Sequence, residues 1–369
     1  MTARLSSIVA ALPATVPFVG PETLARRRGR PFRARLGANE SCFGPSPRAL
    51  EAMCRAAAES WQYGDSTSHE LREVLAFRHG VAPDEILIGA GIDELLGVAV
   101  RMLIDPGDVV VSSKGAYPTF AYHVVGYGGR LEAVPYRDDH EDLAALAQAA
   151  HDHAAPLVYL SNPDNPMGSW HSADAVRAFR ADLPGETWLV LDEAYAEFAP
   201  AGVLPPIDTA EPRTIRMRTF SKAHGLAGAR IGYALAHRDV ITATDKIRNH
   251  FGVNRIAQVG ARASLEDEAH TGEVVAAVVQ GREDYRALAE RLGMRALPSA
   301  TNFVAIDVAG AHGGPERARG LLRALEEQGI FVRMPGVAPL DRCIRVTVGT
   351  PEDRRLFAEV LEELVRCGH

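Results

Sequence analysis

The sequence predicts an α/β protein made of a large three-layer domain with a mostly parallel sheet and a smaller α+β domain. Three observations carry that expectation. From about residue 85 to residue 236, short apolar runs alternate with helical patterns, as in a parallel sheet covered by helices. The chain has 369 residues, beyond the roughly 250–300 at which a single core stops growing, so a second unit is expected. After about residue 265 the alternation gives way to a long helical stretch followed by strand, helix, strand, strand and a closing helix.

Taken in order, residues 1–44 are rich in proline and glycine and read as an arm attached to the smaller domain. Residues 45–265 form the large domain, with strands expected over 85–89, 108–112, 130–135, 156–161, 187–191, 214–219 and 229–235, and helices such as 93–103 and 142–153 between them. Residues 266–369 form the smaller domain. It opens with a helix over 268–292 and closes with one over 351–366, where Phe357, Val360, Leu361 and Leu364 recur at the spacing of a core-facing stripe.

Charge and cysteine usage narrow the function classes. The formal charge of −7 gives no global attraction to nucleic acid or to an anionic membrane, so an anionic ligand has to be captured by local arginines. Cys42, Cys54, Cys343 and Cys367 lack metal-ligand spacing in a chain too large to need a disulfide framework, which fits a reducing compartment. No run approaches the roughly 20 apolar residues of a membrane span, and cytoplasm is the expected location. The basic cluster Arg26, Arg27, Arg28, Arg30, Arg33 and Arg35 reads as a solvated arm in an otherwise acidic chain, and DNA binding is not expected. His151-Asp152-His153 ends a polar helix without a third ligand, so no metal is expected.

The segment Thr219-Phe220-Ser221-Lys222-Ala223-His224-Gly225-Leu226-Ala227-Gly228-Ala229-Arg230 carries the most chemistry. A lysine preceded by two hydroxyls, then a glycine-rich turn and an arginine, suits a cofactor with an aldehyde at one end and a phosphate at the other. An isolated Ser-Lys would ordinarily be a surface feature, and here the context decides. The apolar run Trp188–Leu191 ends in Asp192-Glu193-Ala194-Tyr195, which puts a carboxylate at the tip of a buried strand, where open α/β sheets bind ligands. Asp192 there can keep a pyridine nitrogen protonated and Tyr195 can donate to a ring oxygen; a solvated Asp-Glu loop is the competing account.

Ser161-Asn162-Pro163-Asp164-Asn165-Pro166-Met167-Gly168 follows another strand and presents Asn165 on a rigid turn. Gly89-Ala90-Gly91-Ile92-Asp93-Glu94 joins a strand to a helix whose N-terminus can hold a phosphate. It is not a dinucleotide fingerprint, because Glu94 stands in place of the third glycine. Tyr117 could stack on an aromatic ring, or be an ordinary rim tyrosine.

In this order the segments resemble the class I/II aminotransferases over nearly the whole chain. The likeness is to the histidinol-phosphate branch, through 36–41 with 44–47, Tyr63-Gly64-Asp65 with Leu71-Arg72, and 344–350. The resemblance implies fold type I of the pyridoxal-phosphate-dependent transferases, a homodimer with its active site between two chains, and a cofactor held as a Schiff base by Lys222. It implies further that Asp192 pairs with the pyridine nitrogen, that Asn165 and Tyr195 bind the ring oxygen, and that Tyr117 covers the ring face. Backbone groups at Gly91, Ile92 and Asp93, with Thr219, Ser221 and Arg230, would hold the phosphate, and Tyr63 would reach the phosphate of the neighbouring subunit.

By the same likeness Arg345 anchors the substrate anion, helped by Arg333, with Asn39 and Asn302 nearby; without it, both arginines read as surface ion pairs. Departures from the pattern are Met167 for threonine, His224 for an aromatic, and Phe18 for a tyrosine that helps bind a substrate phosphate. The implied reaction is transfer of nitrogen from histidinol phosphate to 2-oxoglutarate, with Lys222 as proton carrier. An aromatic amino-acid aminotransferase or a decarboxylase using the same cofactor is the alternative within the fold. A cofactor-sensing regulator is the alternative outside it, and it lacks a DNA-reading module.

Overall fold

The structure of the chain, a computed structural model, describes residues 4–14, 19–308 and 314–368; Phe18 lies outside them. The described strands are β1 (Ala34–Arg35), β2 (Ile86–Gly89), β3 (Val109–Ser113), β4 (Arg130–Val134), β5 (Leu157–Ser161), β6 (Trp188–Asp192), β7 (Thr214–Thr219), β8 (Gly232–Leu235), β9 (Arg295–Ala296), β10 (Phe303–Asp307), β11 (Ile330–Phe331) and β12 (Cys343–Thr347). Seven of them form one sheet in the order β2-β8-β7-β6-β5-β3-β4, parallel except that β8 runs against both β7 and β2.

Alternation of side chains along each strand makes the layers. Val110, Leu157, Tyr159 and Val190 face one core with the helix Ile92–Leu103, while Val111, Val158, Leu160, Leu189 and Leu191 face another with the helices Leu143–Asp152 and Ala173–Asp182. Because β5 and β6 are buried on both faces, they read as continuous apolar runs, which is how the sequence revealed them.

A second, antiparallel sheet has the order β12-β10-β9, and β1 pairs in parallel with β11. These strands pack with the helices Glu268–Arg291, Pro315–Glu327 and Pro351–Arg366 around another core. The last helix buries Phe357, Val360, Leu361 and Leu364 as expected. It starts at a capping box in which Thr350 accepts from the Asp353 amide and Asp353 accepts from the Thr350 amide.

Two expectations need correction. The strand expected over 229–235 starts only at Gly232, because Ala227–Ala229 is a 3-10 turn and Arg230 takes a left-handed conformation, φ 57°. The arm expected over 1–44 is not irregular throughout: it contains the helices Ser7–Ala11 and Pro21–Arg28 as well as β1. Pro21 sits at the first helical turn, where its fixed φ suits the helix, and Gly29 closes it at φ 71°.

Candidate active site

The strand directions bring the sequence-selected loops to one edge. β2, β3, β5, β6 and β7 all run the same way, and after their C-terminal ends come Gly91, Tyr117, Asn165, Asp192 itself, and Ser221 with Lys222. Asp192 ends β6, the fourth of the seven strands, so it stands at the middle of that edge and is buried.

Lys222 is tied to a residue 183 positions away: its Nζ donates to the Asn39 carbonyl at 3.1 Å. The same carbonyl accepts from Asn302 Nδ2 at 3.1 Å, and Asn39 Nδ2 donates to the Tyr195 hydroxyl at 2.9 Å. Asn39 holds this junction in a left-handed backbone conformation, φ 55°, and its amide nitrogen donates to Thr347 Oγ1 at 3.1 Å. Loss of water around the lysine amine, reinforced by the positive charge of Arg345, brings it down to about 8.

The carboxylate of Asp192 accepts two hydrogen bonds, from the Tyr159 hydroxyl to Oδ2 at 2.7 Å and from the Ala194 amide to Oδ1 at 2.9 Å. Burial nevertheless pushes its carboxyl up to about 6. Its neighbour Glu193 points to the other face, where Arg216 Nη2 donates to it at 2.5 Å and Arg218 Nε at 2.9 Å. Burial opposes the charge on Glu193, but Arg218 and Arg216 hold it below the usual carboxylate range. The adjacent acids thus serve opposite faces, and a solvated Asp-Glu loop is excluded.

At the glycine-rich turn Gly91 has φ 82°, and a Cβ there would meet Arg230 Nη2 at 2.6 Å. Arg230 Nη2 donates to Asp93 Oδ2 at 3.1 Å, and the Tyr117 hydroxyl donates to Asp93 Oδ1 at 2.8 Å. Thr219 lies beside Gly232 in the β7/β8 ladder, its hydroxyl 2.9 Å from Ser221 Oγ. Gly91, Asp93, Thr219, Ser221 and Arg230 therefore converge, with Ile92 at the start of the helix Ile92–Leu103.

Arg345 enters from β12. Its Nη1 donates to Asn165 Oδ1 and its Nη2 to the Gly37 carbonyl at 3.1 Å, while its guanidinium lies 5.2 Å from the centre of the Phe303 ring. Both hydrogen-bond partners are uncharged. Among the described residues, Arg345 Nε and Asn302 Oδ1 are buried without a hydrogen-bond partner. A cluster holding an amine, a central carboxylate and a guanidinium with spare donors can bind an anionic amine and move its proton.

A match to the family described as aminotransferase class I and II runs over residues 34–361. The chain belongs to the class I and II aminotransferases. A histidinol-phosphate aminotransferase from Roseiflexus castenholzii is 38% identical over 99% of both chains. The crystal structure of histidinol-phosphate aminotransferase from Sinorhizobium meliloti in complex with pyridoxal-5′-phosphate is 49% identical, with a TM-score of 0.95 over 100% of this chain and 99% of that one. An L-threonine-O-3-phosphate decarboxylase from Porphyromonas gingivalis, 21% identical with a TM-score of 0.76 over 90% of this chain and 99% of that one, shares the fold alone.

Not every residue selected from this aminotransferase's sequence reaches the cluster within one chain. Tyr63 is 79% exposed and meets the Phe251 ring in a tilted contact, ring centres 5.0 Å apart. Arg333 bridges Arg345 through the backbone, but its guanidinium donates to the Val19 carbonyl at 2.8 Å and lies over the Phe331 ring. His224, which stands in place of an aromatic, is buried with Nδ1 2.7 Å from Ser264 Oγ. Met167 is fully buried among Tyr136, Leu297, Ala305, Leu340 and Cys343.

Sequence reasoning missed Tyr159, Thr347 and Phe303 as partners of the site residues. Tyr159 and Ser161 share one face of β5, and Ser161 pairs with Asp192, so alternation combined with strand order would have found the first. Among the described residues no group of three or more His, Cys, Asp or Glu is arranged to hold a metal ion, and no helix is long and apolar enough to cross a membrane.

Proposed function

We propose that this aminotransferase uses pyridoxal phosphate, held on Lys222, to move the amino group of histidinol phosphate to 2-oxoglutarate. The observation that carries the reading is the junction at Asn39, which joins Lys222, Tyr195 and Asn302 in one hydrogen-bonded cluster beside Asp192 and Arg345. The full-length relatives named histidinol-phosphate aminotransferases, at 38% and 49% identity, support the choice of donor.

The residues present fit the cofactor. Arg230 occupies the space a Cβ on Gly91 would take, so the turn is shaped around a guanidinium suited to a phosphate, and the amides opening the helix Ile92–Leu103 add donors. Gly91, Ile92, Asp93, Thr219, Ser221 and Arg230 hold that end. Asn165 and Tyr195 would bind the ring oxygen, Tyr117 would cover the ring face, and Asp192 would pair with the ring nitrogen. When bound, pyridoxal phosphate supplies an aldehyde for the amine and a protonated ring able to store the electron pair released with the proton.

Lys222, brought to about 8, is partly neutral near pH 7 and can take and return the substrate proton as general base and acid. Asp192 remains an anion above about pH 6, the state required to face a protonated nitrogen. Arg345, with a buried Nε still to be satisfied, binds the substrate anion; Arg333 lends positive charge from the segment bridged to Arg345, and Asn39 and Asn302 line the same side.

The chain is proposed to divide into an arm over 1–44, a large domain over 45–265 and a small domain over 266–369. It is further proposed to act as a cytoplasmic homodimer in which Tyr63 completes the partner's site. Exposed Trp61, Tyr63 and Phe251 supply an apolar surface for a second copy, and four free cysteines suit a reducing compartment. The test is an absorbance spectrum of the protein loaded with pyridoxal phosphate, before and after histidinol phosphate, phenylalanine or threonine phosphate. Loss of the visible band with histidinol phosphate alone supports the reading; loss with phenylalanine alone replaces the donor, and no band in any sample removes the cofactor.

A further inference from the structure

The carboxylate of Asp192 is a buried anion whose direct partners are both neutral. Tyr159 donates to Oδ2 at 2.7 Å and the Ala194 amide to Oδ1 at 2.9 Å, and no cation lies in ion-pair contact among the described residues. The charges facing it come from three directions: Lys222 after β7 favours the anion, Asp93 at the start of the helix Ile92–Leu103 opposes it, and the buried Glu141 feels it as a like charge. The Tyr159 and Tyr195 phenols lie near it as well; burial, reinforced by the charge of Asp192, keeps both in their protonated form.

Tyr159 is built to stay where it is. It is fully buried in the middle of β5, its ring stacked on Phe120 with centres 4.6 Å apart and planes 18° from parallel. The register places Ser161 opposite Asp192 and Tyr159 opposite Val190, so the phenol reaches diagonally to the carboxylate from two residues back on the neighbouring strand. The ring has no freedom to follow the carboxylate if it turns; the carboxylate must take up the direction the phenol sets.

From this geometry we infer that Tyr159 is a positioning residue for the transamination, fixing the orientation of the Asp192 carboxylate and offsetting by its hydrogen bond part of the cost of keeping that carboxylate charged. The inference rests on the reading of Asp192 as partner of the cofactor's ring nitrogen. Tyr159 touches neither cofactor nor substrate in this role and acts only through Asp192. Its effect therefore belongs to cofactor affinity and to the pH below which that affinity fails, and it should vanish when Asp192 carries no charge.

The experiment is equilibrium binding of pyridoxal phosphate to the cofactor-free full chain, followed by protein fluorescence from pH 5 to 9, for wild type, Tyr159→Phe, Asp192→Asn and the double variant. Phenylalanine keeps the ring stacked on Phe120 and removes only the donor. Losing one hydrogen bond to a charged group is expected to weaken binding about tenfold at pH 7 and to raise by about one unit the pH at which binding falls off. Asp192→Asn is expected to bind more weakly still, without that acid limb, and the double variant to match it.

Unchanged affinity and pH profile in Tyr159→Phe would overturn the inference. So would losses that add in the double variant, since they would show Tyr159 acting independently of Asp192. Equal binding by wild type and Asp192→Asn would instead refute the role of Asp192, and the inference with it. Circular dichroism on each variant separates a folding defect from these outcomes, and Tyr159→His, which keeps a ring and a donor, should restore part of the affinity if the fold is retained.

Discussion

Replacing Asp192 with asparagine should make the cofactor-free protein more stable at pH 8. Burial raises the Asp192 carboxyl from its ordinary 3.8 to about 6. The folded state thus binds the proton more tightly than the unfolded state, and between those two values stability falls as the pH rises. At about 1.4 kcal/mol for each unit of pKa, the cost of holding the anion reaches about 3 kcal/mol above pH 6 and is absent below the ordinary value.

Asparagine has nearly the same shape, can still accept from the Ala194 amide, and can turn its NH2 toward the Tyr159 oxygen. The variant should therefore recover much of that 3 kcal/mol, with a gain that grows from pH 4 to pH 6 and then levels off. Thermal melts of both cofactor-free proteins across pH 4 to 8 measure it. A variant no more stable than wild type at pH 8, or a difference independent of pH, would refute the view that Asp192 is a charge held at a cost which a protonated ring nitrogen offsets. Stability and function oppose each other at this residue.

Three further outcomes follow from the same geometry. Lys222→Ala should retain the fold and lose transamination by at least about 10³-fold, read in single turnovers, because the general base and acid is gone; capture of pyridoxal phosphate by the wild-type cofactor-free chain should accelerate with pH, half-maximal near 8, as the Lys222 amine loses its proton. Arg345→Gln should raise the KM of anionic substrates about 10- to 100-fold, the loss expected for hydrogen bonds to a charged group, with a smaller change in kcat in steady-state assays. Gly91→Ala should lower cofactor affinity in a fluorescence titration, since its Cβ would stand 2.6 Å from Arg230 Nη2 at φ 82° and ψ 172°, a nearly glycine-only conformation costing a residue with a side chain about 1–3 kcal/mol.

Much of this was legible before any coordinates. The strands β5 and β6 announced themselves as unbroken apolar runs because both faces are covered, and the chemistry-bearing loops followed directly on strand ends. The closing helix was readable from its stripe and from Pro351 after Thr350. The two short helices in residues 1–44 were not, since five and eight residues carry little periodicity and are held by packing and capping rather than by pattern. The late start of β8 escaped notice because the left-handed Arg230 interrupts a run whose composition still suits a strand.

What the sequence determined by itself is most of the local elements and the candidates for the reacting groups. Alternation, turn residues and motif spacing are properties of neighbours in the chain, so Lys222, Asp192, Asn165 and Gly91 could be picked out one loop at a time. What only the tertiary structure decided is who meets whom: Asn39 with Lys222 across 183 residues and with Tyr195 across 156, and Tyr159 with Asp192 across 33. It also decided that Glu193 turns away to Arg216 and Arg218. The physical reason is that such pairs depend on strand order and register. Those are set by the packing of whole layers, and the protonation of Lys222 and Asp192 depends in turn on the water those layers exclude.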